Sequence, residues 1–536
     1  MSPLIAALQD PAAYPHPAPA PRLIETHISW VILAGDYAYK IKKPLDLGFL
    51  DFSTLDKREF CCREEIRLNR RLAQDTYLGV VAISGSPPRI GGSGTVLEWA
   101  VKMRAFPAES TLDREVEVTT EQIDAIADRV ARFHQEIAAV PVESDFGSVA
   151  AIHAPMAENF RQLRAIRPEG KAWIEDGDAL LARLEAWSEA EGLRLSSHFI
   201  GRKQQGYIRE CHGDLHLGNI AWVSEVRSPP QEGDRVREPR EAAAAPLIFD
   251  GIDFNPGLRC IDVISEVAFL CMDLAHRGRT PLAWRFLNRY LEHGGDYSGL
   301  AALPYYLVYR AMVRAKVAAI RASQENADFS AALSYLQLAH HFTQGAGPAM
   351  VLMHGVSGSG KTSMSQALLE GLSVPVPTIR LRADVERKRL FGLNALADSR
   401  AQGKDLYSRE AGERTLARLL ALTHGLLADG FPVIVDATFI KRDWRTSFER
   451  LARAHALPWC IAALQTSPEE SQRRVSRRQA TGLDASEAGL EVLAAQLAAI
   501  EPFAADERPH VVYLDDDPDR ALEQIRACHA ALPSQP

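Results

Sequence analysis

The sequence predicts two domains of different architecture: an α+β N-terminal part with two lobes, and an α/β C-terminal part built on a parallel sheet. Three observations predict it. The chain has 536 residues, too many for one ordinary hydrophobic core. Strand-like runs rich in β-branched and aromatic residues open the chain, and after about Thr120 they give way to helical periodicity. Beyond the Gly-rich stretch TQGAGPA at 343–349, apolar runs alternate with helical segments, which is the pattern of parallel strands covered on both faces.

Taken in order, residues 1–22 are a Pro/Ala-rich segment. LIETHIS, WVILAGD and YAYKIKK then read as strands, with Gly35-Asp36 as a tight turn. LDKREFCCREEIRLNRRLAQ reads as a helix, followed by strands in VVAIS and TVLEWAVKMRAF. TTEQIDAIADRVARFHQEI is an amphipathic helix, and mainly helical sequence continues to Gln344. Residues 228–246, rich in Pro, Gly and mixed charge, read as a solvated insert. A domain boundary is expected near Gly345–Gly347, which gives domains over 23–344 and 345–536. The C-terminal strands are AMVLMHG, VPTIRLR, PVIVDATF, WCIAALQT and HVVYLD.

Hydrophobic residues make up 46% and charged residues 24%, the composition of a soluble globular protein. The formal net charge of -8 argues against a dedicated nucleic-acid binder. Seven scattered cysteines without a C-x-x-C pair give no disulfide framework and no zinc site. The opening lacks the basic start and apolar core of a signal peptide, and no apolar run has the length of a membrane span. A cytoplasmic protein without a membrane partner is therefore expected.

Two stretches carry chemistry. The first is GVSGSGKT: Gly355, Val356, Ser357, Gly358, Ser359, Gly360, Lys361 and Thr362. It fits G-x-x-x-x-G-K-[ST], with an apolar strand before it and a helix after it. Such a loop wraps backbone N–H groups around phosphates, while its lysine reaches the β- and γ-phosphates and its threonine offers a hydroxyl to Mg2+. Asp436 ends the strand in VIVDATF, where a second metal-side carboxylate belongs. Asp384 and Arg387, just past another strand, could accept a hydroxyl proton and hold a phosphate or orient the acceptor, or simply cap a helix. Arg473, Arg474, Arg477 and Arg478 lie at helical spacing in QRRVSRRQ, either as a lid over the phosphates or as a charged helix face. Together these residues resemble the P-loop kinases of the polynucleotide 5'-kinase and zeta-toxin type, over about 350–515. The resemblance implies Asp384 as general base, Arg387 beside it and lid arginines such as Arg473 and Arg477 on the nucleotide phosphates. Thr438 and Arg445 resemble positions near the acceptor.

The second stretch is HGDLHLGN, residues 212–219. Asp214 precedes Asn219 by the spacing of a kinase catalytic loop, in which a carboxylate accepts the hydroxyl proton and an amide holds Mg2+. PLIFDGIDF then offers two metal carboxylates: Asp250 closes the apolar run, and Asp253 sits nearer the usual offset from the next helix. Lys40 ends an apolar strand as a nucleotide lysine does, with Lys42 and Lys43 as rivals. Glu65 suits the pairing glutamate, with Glu64 as rival. Trp99–Met103 resembles the hinge that carries adenine contacts. This region is similar to the aminoglycoside phosphotransferase and choline kinase class of protein-kinase-like enzymes. The resemblance implies that Asp262 braces the catalytic loop. The class's glycine loop is missing; Thr26, His27 and Ser29 occupy its place.

The whole chain resembles bacterial fusions of an aminoglycoside-phosphotransferase-like domain with a P-loop kinase-like domain. The resemblance implies a bifunctional phosphotransferase that uses ATP and Mg2+ to phosphorylate small-molecule hydroxyl groups. Two other readings stand beside it. One is a nucleotide-gated regulator with one inactive domain. The other is a nucleic-acid 5'-hydroxyl kinase, permitted by the basic run around Arg380–Arg389 but opposed by the acidic net charge and the lack of aromatic stacking residues.

Overall fold

The computed structural model describes residues 2–48, 50–166, 177–224, 244–325, 327–345, 347–372, 376–395, 397, 399, 406, 408–481 and 485–531. Most of the expected insert at 228–246 lies outside the described residues, as does Ala346 in the expected linker. The chain forms two compact units, one of residues 1–155 and 196–273, the other of 156–195 and 274–536.

The first unit contains a six-stranded antiparallel sheet. Its strands are β1 (Arg22–Glu25), β2 (Ser29–Ala34), β3 (Tyr37–Lys42), β4 (Tyr77–Ser84), β5 (Arg89–Ile90) and β6 (Val96–Arg104), in the order β1-β2-β3-β6-β4-β5. Successive side chains of a strand point to opposite faces, so β3 serves two layers. Tyr39 and Ile41 enter a core with Ile32, Ile83 and Ala100. Lys40 and Lys42 face the other way, toward the Leu55–Asn69 helix, which packs Cys62 and Ile66 beside Tyr77 and Val101. The Pro/Ala-rich opening is not a loose segment. It forms a short helix, Pro3–Ala7, and buries Ile5, Leu8, Tyr14 and Ala18 against the Tyr39 face. Two small antiparallel ribbons complete this unit: β7 (Ile208–Glu210) with β10 (Cys260–Asp262), and β8 (Ile220–Ser224) with β9 (Ala244–Ile248). The HGDLHLGN loop leaves β7 and enters β8. The Asp250–Asp253 turn leaves β9.

The second unit combines helices, among them Thr280–Gly294, Leu303–Glu325 and Ser330–Phe342, with a parallel sheet. That sheet comprises β11 (Met350–His354), β12 (Ile379–Arg382), β13 (Val433–Asp436), β14 (Trp459–Leu464) and β15 (Val511–Leu514), in the order β12-β13-β11-β14-β15. All five expected C-terminal strands form, and all their pairings are parallel. Val351, Met353, Ile434 and Ala462 fill one face against the Lys361–Leu372 and Pro518–Ala531 helices. The glycine loop follows the central strand β11, so it opens at the carboxyl ends of the strands, where ligands of such sheets bind.

Candidate functional site

In the first unit the loop from His212 is held from several sides. His212 is buried; its Nε2–H donates to the Phe249 carbonyl (2.9 Å) and its Nδ1 accepts from the Asp214 N–H (3.3 Å). These partners require one neutral tautomer, and burial lowers the imidazole pKa in the same sense. Gly213 has φ +90°, and a Cβ there would meet the Leu258 carbonyl at 2.8 Å, so glycine is needed. Glu266 accepts from the Gly213 N–H (2.7 Å) and pairs with His134 Nε2 (2.6 Å). The Asp273 carboxylate accepts from the Leu217 N–H (3.0 Å). Asp262, expected to brace this loop, instead holds Arg202 through two bonds of 2.5 and 2.7 Å, and Glu266 does the bracing.

Asn219 donates through Nδ2 to the Asp214 carbonyl (2.9 Å) and to Asp214 Oδ2 (3.1 Å), so base candidate and amide sit together. Lys40 pairs with Glu65 at 2.9 Å and also with Asp250. Lys42 pairs with the other oxygen of Glu65 (2.8 Å) and with Asp253 (2.5 Å). Burial alone would push the Glu65 carboxyl up; the two lysines hold it down at about 2. The rivals lie elsewhere. Lys43 turns away to Glu25, and Glu64 pairs with Arg67 and Arg259. Of the two aspartates, Asp250 keeps 46% of its side chain exposed, at φ +64°, whereas Asp253 keeps 5%. Asn69 Oδ1 accepts from the Gly251 N–H (2.8 Å) and fixes that turn, a role no sequence motif announced. In place of a glycine loop, Thr26 Oγ1 donates to the Ser29 carbonyl and accepts from the Ser29 N–H, both at 3.0 Å.

In the second unit, strand and helix termini converge on a cavity of 240 Å³. Ser357, Gly358, Gly360, Lys361 and Thr362 of the glycine loop line it together with Arg382, Asp384, Arg387, Asp436, Thr438 and Trp444. Gly355 (φ +150°) has no room for a Cβ, which would meet Ser359 Oγ at 2.5 Å, so the loop closes tightly. Lys361 Nζ donates to the Val356 carbonyl (2.7 Å), and burial lowers its pKa. Asp436 accepts from Ser365 Oγ (3.3 Å). Arg387 donates to Asp384 Oδ1 (2.7 Å). Burial would raise the Asp384 pKa, but Arg387 and neighbouring cations hold it below its ordinary value.

Two expectations shift. Arg473 and Arg477 are exposed and do not line the cavity; Arg474 and Arg478 do. The reason is helical phase. Ser471 and Val475 are fully buried, and the residues three positions on from each share their side of the helix. Arg445 is fully buried in an ion pair with Glu507 (2.6 Å) and donates to the Phe439 carbonyl (3.0 Å), so it lies in the interior rather than at the cavity. Gln496, which no motif indicated, lines the cavity and accepts from the Ser357 N–H (2.7 Å).

Residues 62–228 match the family described as phosphotransferase enzymes, and residues 350–503 match a family described as an AAA domain. Uncharacterised proteins of Mycobacterium tuberculosis and Mycobacterium bovis are each 31% identical over 433 residues, covering 80% of this chain and 80% of theirs. Among solved structures, a choline/ethanolamine kinase family protein from Mesorhizobium loti covers 63% of this chain and 94% of its own, at 12% identity and TM-score 0.37. A gluconokinase from Sinorhizobium meliloti covers 34% and 93%, at 21% identity and TM-score 0.25. No helix among the described residues is long and apolar enough to cross a membrane.

Proposed function

Because this chain belongs to the family that joins a phosphotransferase domain to a P-loop kinase-like domain, shared with the mycobacterial proteins, we propose that each unit transfers the γ-phosphoryl group of ATP to a hydroxyl acceptor. The observation that carries the reading is the cavity of the second unit. It gathers a phosphate-side lysine (Lys361), a metal-side hydroxyl and carboxylate (Thr362 and Asp436) and an ionised acceptor-side carboxylate (Asp384) from three separate segments. These are the parts that phosphoryl transfer needs.

The donor sets suit a nucleotide with Mg2+. Asn219 and Asp250 supply the hard oxygen atoms that this ion prefers, and Thr362 and Asp436 do so in the other centre. The glycine loop keeps a backbone cradle that a Cβ at Gly355 would fill. The ion, when bound, neutralises charge on the phosphate oxygens. In the first unit Asp214 accepts the proton of the acceptor hydroxyl, and the Asn219 amide fixes that carboxylate. Glu65 keeps Lys40 charged and aimed at the phosphates. Asp250, more exposed than Asp253, is the metal carboxylate, while Asp253 serves the buried charge balance of Lys42. In the second unit Lys361, Arg474 and Arg478 hold the phosphates, and Asp384 takes the proton with Arg387 orienting it.

The test is transfer of labelled γ-phosphate from ATP to hydroxyl metabolites, aminoglycosides and 5'-hydroxyl oligonucleotides, using the full chain and its Asp214→Asn and Lys361→Ala variants. Loss of a general base costs about a hundredfold to ten-thousandfold in rate. Acceptors of the first unit should therefore disappear with Asp214→Asn, and those of the second should disappear with Lys361→Ala, which removes the charge that holds the phosphates. Transfer that both variants leave intact would defeat the reading.

A further inference from the structure

We propose that Asn288 and Glu292, on the Thr280–Gly294 helix, are positioning residues for the acceptor side of the P-loop centre; the proposal rests on the kinase reading of that centre. Both residues precede the glycine loop by more than a helix-rich stretch of sequence and touch none of its motifs.

Strand β12 is the edge of the parallel sheet. An edge strand presents backbone N–H and C=O groups that need partners. Asn288 supplies both: its Nδ2 donates to the Thr378 carbonyl (3.0 Å), and its Oδ1 accepts from the Arg380 N–H (2.8 Å). One side-chain amide thus replaces a neighbouring strand at the point where β12 begins. One helical turn on, Glu292 is 4% exposed and accepts from Arg380 (2.6 Å) and Arg382 (3.3 Å). Arg380 continues to the Thr362 carbonyl (3.3 Å), at the first turn of the helix that follows the glycine loop. Arg382 lines the cavity, with Nε 4.0 Å from Asp436. The end of the same helix receives Arg389, whose guanidinium donates to the Glu292 carbonyl (2.5 Å); a Cβ on Gly295 would lie 2.6 Å from Arg389 Nε.

The helix therefore grips residues 378–389 at three successive points. Asp384 and Arg387 lie between the last two. A buried ion pair is a poor stabiliser compared with packed apolar groups of similar size. Its place here, on the two arginines that flank the metal-side residues, fits orientation of the cavity wall. Gly358, Gly360, Lys361 and Arg474, on the nucleotide side, have no bond to Asn288 or Glu292 among the described residues; the helix meets the one that follows the glycine loop at another point, where Arg285 pairs with Glu370 (3.0 Å). Disturbing Glu292 should therefore slow turnover without weakening nucleotide binding.

The experiment uses the full chain carrying Asp214→Asn and measures ATP hydrolysis with water as the acceptor. Lys361→Ala in this background sets the zero. A rate that persists undiminished in Lys361→Ala defeats the kinase reading, and this proposal with it. Given a Lys361-dependent rate, misplacement of reacting groups predicts that Glu292→Gln lowers kcat about ten- to a hundredfold and leaves KM for ATP within about twofold. Asn288→Ala, which strands no charge, should act in the same direction, and Glu292→Asp should restore part of the rate. Glu292→Gln combined with Arg382→Gln should be no slower than Arg382→Gln alone. The proposal is overturned if kcat is unchanged in both single variants, if kcat and KM worsen together in step with the melting temperature, or if the Glu292 and Arg382 effects multiply.

Discussion

Lys40 and Lys42 sit two positions apart on one face of one strand and share Glu65, yet they end on different aspartates. The difference in exposure assigns different work to the two carboxylates. Asp250→Asn should leave the unfolding midpoint in urea near that of the unmodified chain and weaken Mg2+-dependent ATP binding by the first unit. Asp253→Asn removes one partner from a buried pair, which typically costs about 3 kcal/mol or more. It should lower the urea midpoint while the nucleotide affinity of the molecules still folded is kept. Equal effects of the two substitutions on stability would sink the division. The same logic explains what HGDLHLGN alone conveyed. It indicated Asp214 and Asn219 because the spacing is local. It did not indicate Glu266 or Asn69, whose bonds to Gly213 and Gly251 span 53 and 182 positions.

At the scale of elements, strands and helices followed from periodicity and turn residues, and the glycine loop followed because all its parts are contiguous. The arginine-rich helix Pro468–Thr481 was harder. Two arginine doublets four residues apart present an arginine on either phase, and only the burial of Ser471 and Val475 decides between them. Arg474→Gln should raise KM for ATP in the second unit about tenfold, the value of one charge-assisted hydrogen bond. Arg473→Gln, which loses only an exposed pair with Glu470, should change it by less than about twofold. Steady-state kinetics on both variants checks this; a larger effect at Arg473 would reverse the phase. The Pro3–Ala7 helix was missed for a different reason. Its Pro/Ala composition resembles a linker, and its apolar residues Ile5 and Leu8 acquire meaning only once β2 and β3 are there to cover.

At the scale of the whole molecule, the compact units do not follow the change of sequence pattern near Gly345–Gly347, since residues 274–344 pack with the P-loop sheet. A chain cut at that segment and co-expressed as two pieces should copurify, held by Asn288 on β12 and by Glu292 on its arginines. The 345–536 piece alone should melt at a lower temperature than the same region in the intact chain; an equal midpoint would show the grip to be dispensable. The ion pairs also predict an acid response. Burial would raise the Glu292 carboxyl, but Arg380 and Arg382 hold it at about 2, below its ordinary 4.5. A depressed folded value contributes stability that is present above pH 4.5 and lost as pH falls from there toward 2. The loss should be on the order of 3 kcal/mol. Glu292→Gln should flatten that part of the stability profile, and an unchanged profile would remove Glu292 as its source. The interleaving of the two units has a further consequence during synthesis. Residues 156–195 leave the ribosome after most of the first unit, but their partners begin only at Leu274. At translation rates of 5–20 residues per second, Leu180, Leu181 and Leu184, buried in the finished protein, wait on the order of ten seconds for the Leu303–Glu325 and Ser330–Phe342 helices that pack on theirs. A nascent chain stalled before Leu274 is thus the form of this protein most in need of a chaperone.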